Sequence, residues 1–203
     1  MTGRLAFLAA RALRREAPLT RLSWPLPDLS GRTVSLVGNA RALGSHGHGA
    51  EIDAADLVIR INRAPLPAPE SHGTRTDWLA LAVRLNAADL TRIAPDRILW
   101  MSHKRKRLAY RDATSPGFYL HPPEDWRRLR QTLGAPPSTG AMVIDLLARS
   151  RAARVTLFGF DFFASQSLSG RRSAAQVPHD FAAEAKWVRD LLAVDPRFAL
   201  KAL

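Results

Sequence analysis

"RTVSLVGNARALGSHGHGAEIDAADLVIRIN" (residues 32–62) holds two short apolar runs that are separated by a glycine-rich loop. The first run, RTVSLVG, is followed directly by Asn39, and the second, DLVIRIN, ends in Asn62. Short runs rich in Val, Ile and Leu, bounded by turn residues, predict strands that are buried on both faces. In a parallel sheet both asparagines would lie at carboxyl ends of strands, where ligands bind, and could face one crevice.

The alternation of apolar runs and helical patterns continues along the chain. Further strands are predicted at 76–83, 96–102, 117–121, 154–160 and 197–203, and helices at 3–16, 123–133, 139–151 and 181–194. Buried strands interleaved with helices predict an α/β fold with a Rossmann-like, mainly parallel sheet flanked by helices. The chain has 203 residues, of which 46% are hydrophobic, and this fits a single domain over 31–203 after a basic amphipathic helix in 1–20.

The composition narrows the classes of function. The chain has no cysteine, which excludes disulfides, thiolate catalysis and cysteine-ligated metal, and suits a reducing compartment. Its net charge of +12 favours anionic partners such as phosphate-bearing small molecules, nucleic acid or an acidic membrane. The basic run HKRKR (103–107) lacks interleaved aromatics and any nucleic-acid motif, so we expect no nucleic-acid partner. We expect a cytoplasmic location.

The N-terminal segment is a candidate for membrane contact, and the 103–107 run is either a solvated loop or a second such patch. Helical spacing places Arg4, Arg11, Arg14 and Arg15 on one face, although Phe7 interrupts that face. No stretch approaches the roughly 20 apolar residues that a spanning helix needs. Two roles are compatible with the pattern: a packing helix with a solvated basic side, or peripheral docking on an anionic inner membrane face.

The loop after the first strand matches neither common phosphate-binding loop. A dinucleotide fingerprint needs G-x-G-x-x-G opening into a helix, and a P-loop needs a lysine that GNARALGS (38–45) lacks. An asparagine amide offers two donors and one acceptor, which suits ribose hydroxyls, a phosphate oxygen or a pyrimidine edge. Asn39 and Asn62 could instead tie down turns. Their occurrence at two strand ends favours a ligand.

Two further motifs place anion-binding and basic groups at helix starts. In PPSTG (136–140), Ser138 and Thr139 are good helix caps, and the first-turn amides attract an anion unless they serve as a cap alone. Gly140 would let backbone and ligand approach closely. In PHDFAAE (178–184), His179 lies at a helix start, where the dipole favours the neutral imidazole that a general base requires. The alternatives for His179 and Glu184 are an exposed helix-start residue and a surface carboxylate.

Taken in order, these stretches resemble the sialyltransferases of glycosyltransferase family 29. The long motif of that family resembles VGNARALGSHGHGAEIDAADLVIRINRAP (37–65) followed by GTRT (73–76). The short motif resembles PSTG (137–140), and the very short motif H-x-x-x-x-E resembles His179 to Glu184. The chain is thus identified as a short, cysteine-free, bacterial-type member.

The resemblance implies a fold, a reaction and a site. The fold would be a variant of the GT-A type. The reaction would be an inverting, metal-independent transfer of a nonulosonic acid, such as sialic acid, from a CMP-sugar to a glycan or glycolipid hydroxyl, without a cofactor. His179 would be the catalytic base, and Glu184 would orient its helix. The implied donor-binding residues are Gly38, Asn39, Asn62, Ser138, Thr139 and Gly140.

One departure from the family concerns the leaving group. The family carries a His-Tyr cluster before the very short motif, but residues 161–178 contain neither residue type. Tyr119 and His121 are therefore predicted to contact the departing phosphate, with Arg171 and Arg172 as an alternative pair. The missing cluster also leaves open a second function, a catalytically degenerate protein that binds a CMP-sugar or an anionic glycan.

Overall fold

The computed structural model describes residues 3–162, 164–165, 167–168 and 176–203. Within them lies a seven-stranded sheet of order β5-β4-β3-β2-β1-β6-β7, with every neighbouring pair parallel. The strands are β1 Thr33–Val37, β2 Leu57–Ile61, β3 Trp78–Leu81, β4 Arg97–Trp100, β5 Tyr119–Leu120, β6 Arg154–Phe158 and β7 Phe198–Leu200. The predicted α/β fold with a parallel sheet is confirmed.

Helices cover both faces of this sheet. They are α1 Arg4–Ala12, α2 Glu16–Thr20, α3 Gly49–Asp53, α4 Pro69–His72, α5 Ala87–Ile93, α6 Tyr110–Ala113, α7 Pro123–Leu133, α8 Thr139–Ala148 and α9 Phe181–Val194, with 3-10 turns at Arg41–Ser45 and Arg105–Arg107. The strand β3 shows the two layers: Trp78 and Ala80 join a core with α8 and α9, whereas Leu79 and Leu81 join a core with α1. Such two-sided burial explains why the strands are continuous apolar runs.

The N-terminal segment is part of the folded body. The helix predicted at 3–16 ends at Ala12, because the chain turns at Arg14 with a φ of 54° before α2 begins. Phe7 is fully buried and its ring meets that of Tyr110 edge to face, with 5.3 Å between centroids. Arg105 extends this packing, since it donates to the Glu16 carboxylate at 2.8 and 2.6 Å.

A buried arginine fixes the strand that leads to Asn62. Arg60 of β2 is 1% exposed; its Nε donates to the Arg75 carbonyl at 2.7 Å and its Nη2 to the His72 carbonyl at 2.6 Å. Burial lowers the pKa of Arg60 to about 10, while the charges of Asp53 and Asp77 oppose that shift. Two carbonyl acceptors thus hold the 72–75 turn against the strand, so this part of the long motif stabilises the fold.

Candidate functional site

A cavity of about 880 Å³ opens at the carboxyl ends of β1, β2 and β6. Its wall is completed by the first turns of α8 and α9. All eight residues that the motifs predicted as catalytic or donor-binding line it: Gly38, Asn39, Asn62, Ser138, Thr139, Gly140, His179 and Glu184. Three motifs that are far apart in sequence therefore meet at the crevice where parallel sheets bind ligands.

The two asparagines make different use of their amides. Asn39 is 8% exposed, and its Nδ2 donates weakly to the Ile61 carbonyl at 3.3 Å. Asn62 accepts the backbone N–H of Ala82 with Oδ1 at 3.0 Å and donates from Nδ2 to the Thr139 hydroxyl at 3.3 Å. Since an amide has two N–H donors, each asparagine retains one for a ligand. Asn62 can thus hold the turn with its two bonds within the protein and still offer one N–H to a ligand.

The backbone of Asn62 is unusual for a residue with a side chain. Its φ is 53°, in the left-handed region that asparagine tolerates better than most residues. The turn follows immediately after β2, and the Asn62 N–H still donates to the Ala80 carbonyl at 2.8 Å. The strand end therefore turns sharply while its amide side chain links β3 to the start of α8.

Two glycines of the motifs, Gly38 and Gly140, pack closely against other parts of the protein. A Cβ on Gly140 would lie 2.6 Å from Cε1 of Phe160, so an aromatic ring occupies the space that we expected a ligand to use. A Cβ on Gly38 would overlap the carbonyl oxygen of Gly159 at the start of the turn after β6. Gly44 and Gly47 are absent from the cavity wall. Close packing within the protein thus explains Gly38 and Gly140, and their access to a ligand stays a prediction.

Glu184 joins the two helix starts. The Glu184 carboxylate is 4% exposed and accepts the Ser138 N–H and the Ser138 hydroxyl, each at 2.7 Å. The Ser138 hydroxyl in turn accepts the N–H of Ala141, as a helix cap does. Burial raises the pKa of Glu184, and the two bonds from Ser138 oppose that rise. Glu184 therefore holds α9 against α8, which agrees with the positioning role that the resemblance implied.

His179 is held by a backbone carbonyl. Its Nδ1 lies 2.8 Å from the carbonyl oxygen of Pro136, two residues before Ser138. A carbonyl can only accept, so Nδ1 bears the proton and Nε2 of the neutral ring keeps its lone pair. The ring is half-buried and lines the cavity. This is the tautomer and location that a general base needs.

Three arginines on the cavity wall were missed by the sequence analysis. Arg41, Arg63 and Arg107 are exposed and line the cavity. Arg41 follows Asn39 by two residues and Arg63 follows Asn62 directly, so their proximity to the strand ends was a usable signal. Together they give the wall a positive potential that favours an anionic ligand.

Tyr119 and His121 lie away from the cavity, so the prediction that they contact the leaving group is wrong. β5 is the edge strand, four positions from β1 in the sheet, and neither residue lines the cavity. His121 is buried and Tyr119 is half-buried: burial raises the pKa of Tyr119 to about 12 and lowers that of His121 to about 4. Sequence proximity to the short motif did not bring them to the site. The other predicted pair, Arg171 and Arg172, lies outside the described residues.

The polar groups on the cavity wall are mainly amides and guanidinium groups. Among the described residues, no group of three His, Asp or Glu side chains is placed to hold an ion. The carboxylates on the wall are Asp161 and Glu184, and Glu184 is already bonded to Ser138. Amide and guanidinium donors predominate instead, and these are groups that bind anions.

Known proteins resemble this chain both in sequence and in fold, and the sequence matches are confined to part of the chain. The family model for glycosyltransferase family 29 (sialyltransferase) matches residues 10–83, which include the first motif. A rice protein (Oryza sativa subsp. indica) named sialyltransferase-like protein 2 is 43% identical over 65 residues, or 29% of this chain. The matched stretch spans only 16% of that protein's length.

Solved structures show the likeness in fold. A mammalian sialyltransferase in complex with Gal-beta-1-3GalNAc-ortho-nitrophenol has a TM-score of 0.63 at 18% identity, covering 96% of this chain and 83% of its own. The sialyltransferase CstII from Campylobacter jejuni, in complex with the substrate analogue cytidine-5'-monophosphate, has a TM-score of 0.57 at 12% identity, covering 84% and 80%. The sheet and helices thus have the arrangement found in sialyltransferases.

Proposed function

We propose that the protein is a glycosyltransferase of the sialyltransferase type, which moves a nonulosonic acid from a CMP-sugar to a hydroxyl of a glycan or glycolipid. The observation on which the proposal depends is the bond from His179 to the Pro136 carbonyl at the wall of the cavity. In the neutral ring this bond places the proton on Nδ1, so that Nε2 would serve as the base in the cavity that the two asparagines also line. The motif resemblance, the family match and the shared fold support the donor class.

The donor would be recognised by polar groups at the strand ends. A CMP-nonulosonic acid bears one charge on its phosphodiester and one on its sugar carboxylate. The spare N–H groups of Asn39 and Asn62 suit the cytidine, ribose or phosphate oxygens. Thr139 and Gly140 belong to the first turn of α8, whose backbone N–H groups have no partner within the helix and favour an anion.

Transfer would begin as the acceptor hydroxyl attacks the anomeric carbon of the sugar and His179 Nε2 takes the hydroxyl proton. The bond from the anomeric carbon to the phosphate oxygen breaks, and CMP departs with the electron pair. Attack from the face opposite CMP inverts the anomeric centre. We assign stabilisation of the departing charge to Arg41, Arg63 and Arg107 with the α8 amides, in place of Tyr119 and His121. No metal ion is required in this scheme, and a cytoplasmic setting suits the cysteine-free chain.

Substitution of His179 tests the assignment. His179→Ala should lower turnover by about 10²–10⁴-fold, since general base catalysis has that typical value. The CMP dissociation constant should change by less than about threefold, because His179 would act on the proton of the acceptor hydroxyl and not on CMP. A helix amide cannot replace the ring as a base, so the loss should fall on turnover. CMP release from CMP-sugars, with and without acceptor sugars, measures the first quantity, and calorimetry measures the second. The matched control is His103→Ala, an exposed histidine that is absent from the cavity wall.

The outcomes separate the transferase from a binding protein. Acceptor-dependent CMP release that survives in His179→Ala removes His179 from the mechanism. CMP-sugar binding without release in the wild-type chain, across an acceptor panel, supports the degenerate binding protein instead. Failure of all CMP-sugars to raise the thermal stability would contradict both functions, because a ligand of the folded state stabilises it.

A further inference from the structure

The exposed face of α1 is apolar, which is unusual for a surface helix. At roughly 100° per residue, five side chains share an arc of about 120°. They are Leu5, Ala6, Ala9, Ala12 and Leu13, and all are exposed. Leu5 is 83% exposed and Leu13 is 62% exposed. The opposite side of the helix already packs into the core through Phe7 and Ala10, so the apolar face is not needed for folding.

Unpaired positive charge lies at both ends of α1 and in the segment that packs beside it. Exposed cations lie at the first residue of the helix, Arg4, and just after its end, at Arg14 and Arg15. Others lie in the adjoining 104–107 segment, at Lys104, Lys106 and Arg107. None of these six forms an ion pair with the residues that the structure describes. The nearest carboxylate in the sequence, Glu16, is bonded to Arg105. The region around α1 therefore carries a net positive charge.

The 104–107 segment is fixed against α1 and also reaches the cavity. Arg11 donates from Nη1 to the Leu108 carbonyl at 2.8 Å, and Arg105 clamps Glu16 at the start of α2. Arg107, between these two anchors, lines the cavity wall. The helix with the apolar face and one wall of the cavity thus belong to one rigidly connected part of the protein.

We propose that α1 docks this protein on the surface of an anionic lipid bilayer. The apolar face would enter the boundary between headgroups and acyl chains. The five cations outside the cavity wall would contact anionic headgroups: Arg4, Arg14, Arg15, Lys104 and Lys106. Charge complementarity selects this occupant, because the unpaired arginines and lysines around α1 attract anionic headgroups and repel a second copy of the same region. The proposed docking is peripheral. Among the described residues no helix is long and apolar enough to cross a bilayer.

The small size of the face predicts how binding depends on lipid. Two leucines and three alanines bury little surface, and a weak apolar signal gives stable binding only when a second signal is added. We therefore expect binding to vesicles that contain about 30% phosphatidylglycerol, and none to pure phosphatidylcholine. Binding should fall steeply as salt rises to about 0.5 M, since screening removes the contribution of the cations.

Sedimentation of the full chain with such vesicles tests the proposal. The double variant Leu5→Ser/Leu13→Ser should bind at least about tenfold more weakly, because both side chains lose apolar contact with lipid. Lys104→Gln/Lys106→Gln should lose on the order of fivefold per cation removed. The matched controls are Val194→Ser, an apolar residue that is 79% exposed on α9, and Arg154→Gln/Arg189→Gln, which removes two exposed cations elsewhere. Both controls should bind as the wild-type chain does.

Three results would overturn the proposal, and all are independent of transferase activity. They are absence of binding to anionic vesicles, equal binding by Leu5→Ser/Leu13→Ser and the wild-type chain, and self-association that the leucine substitutions abolish. Unchanged thermal unfolding of the leucine variant confirms that it is folded, as expected for side chains so exposed. Docking and sugar transfer can thus fail separately.

Discussion

Asn62 combines a left-handed backbone with two side-chain hydrogen bonds, and substitution by glycine and by alanine separates these contributions. The φ of 53° costs an ordinary L-residue about 1 kcal/mol or more. The Oδ1 atom accepts the Ala82 N–H at 3.0 Å, and removal of such a partner costs about 1–3 kcal/mol when the N–H is left buried. Asn62→Gly removes the hydrogen bonds and retains the freedom to adopt this φ.

The expected stabilities follow from these two terms. Asn62→Gly should lower the free energy of unfolding by about 1–3 kcal/mol through the lost bonds. Asn62→Ala should lower it by a further 1 kcal/mol or so, since alanine adds the strain of the left-handed conformation. At most positions alanine is the more stable of the two by about 0.4–1 kcal/mol. A reversed order therefore identifies the backbone of Asn62 as the cause.

Guanidinium unfolding at equal m-values measures these differences. The reasoning is refuted if Asn62→Ala is as stable as Asn62→Gly, or if either variant equals the wild-type protein. Calorimetry with CMP completes the test, because both variants lose the spare N–H of the amide. We expect each to bind CMP more weakly by about 1–3 kcal/mol, and equal losses would show that backbone strain does not affect the ligand contact.

Three further substitutions probe the packing that the structure reveals. Gly140→Ala forces Phe160 to move, so it should cost about 1–3 kcal/mol in urea unfolding, whereas Gly44→Ala, with open space for the new Cβ, should cost far less. Burial holds the pKa of His121 at about 4, below its ordinary 6.5, so the stability that neutral His121 contributes is present above pH 6.5 and is lost as the pH falls toward 4. His121→Leu should therefore reduce the loss of unfolding free energy between pH 7 and 4 by about 3 kcal/mol; an identical loss in both proteins would contradict this. Ala94→Gly relieves a φ of 45° at the end of α5 and should raise the melting temperature by about 2–4 °C, and a lower value would exclude strain there.

The sequence predicted those parts of the fold that local chemistry determines. The helices α7 and α9 begin and end as predicted, because Pro123 opens the first, Gly134 with a φ of 69° ends it, and Asp180 caps the second through the Ala183 N–H. All seven strands were found, since two-sided burial makes each an apolar run. Short helices such as α3 and α4 were missed because four or five residues contain too few turns for a period.

The order of the strands and the contacts between residues far apart in the chain could not be predicted from the sequence. His121 and Ser138 are only 17 positions apart, yet β5 ends at the far edge of the sheet from β1, and nothing in an apolar run specifies its neighbours. The contact of Phe160 with Gly140 joins the turn after β6 to the first turn of α8. A glycine in a motif indicates that something comes close to the backbone, and only the folded structure shows that the neighbour is an aromatic ring.

The spacing of His179 and Glu184 has a physical reason, because both residues bond to the same loop, 136–138. His179 donates to the carbonyl of Pro136, and Glu184 accepts from the N–H and hydroxyl of Ser138. The two ends of a six-residue segment thus hold the two ends of a three-residue segment. The same three residues lead into the α8 turn that would bind the donor phosphate or carboxylate. The position of the proposed base is therefore set relative to the donor site by two neighbouring contacts, and a shift of the loop would displace both together. Because a displacement of about 1 Å can cost on the order of 100-fold in rate, a buried carboxylate that fixes this loop can influence catalysis without touching a substrate.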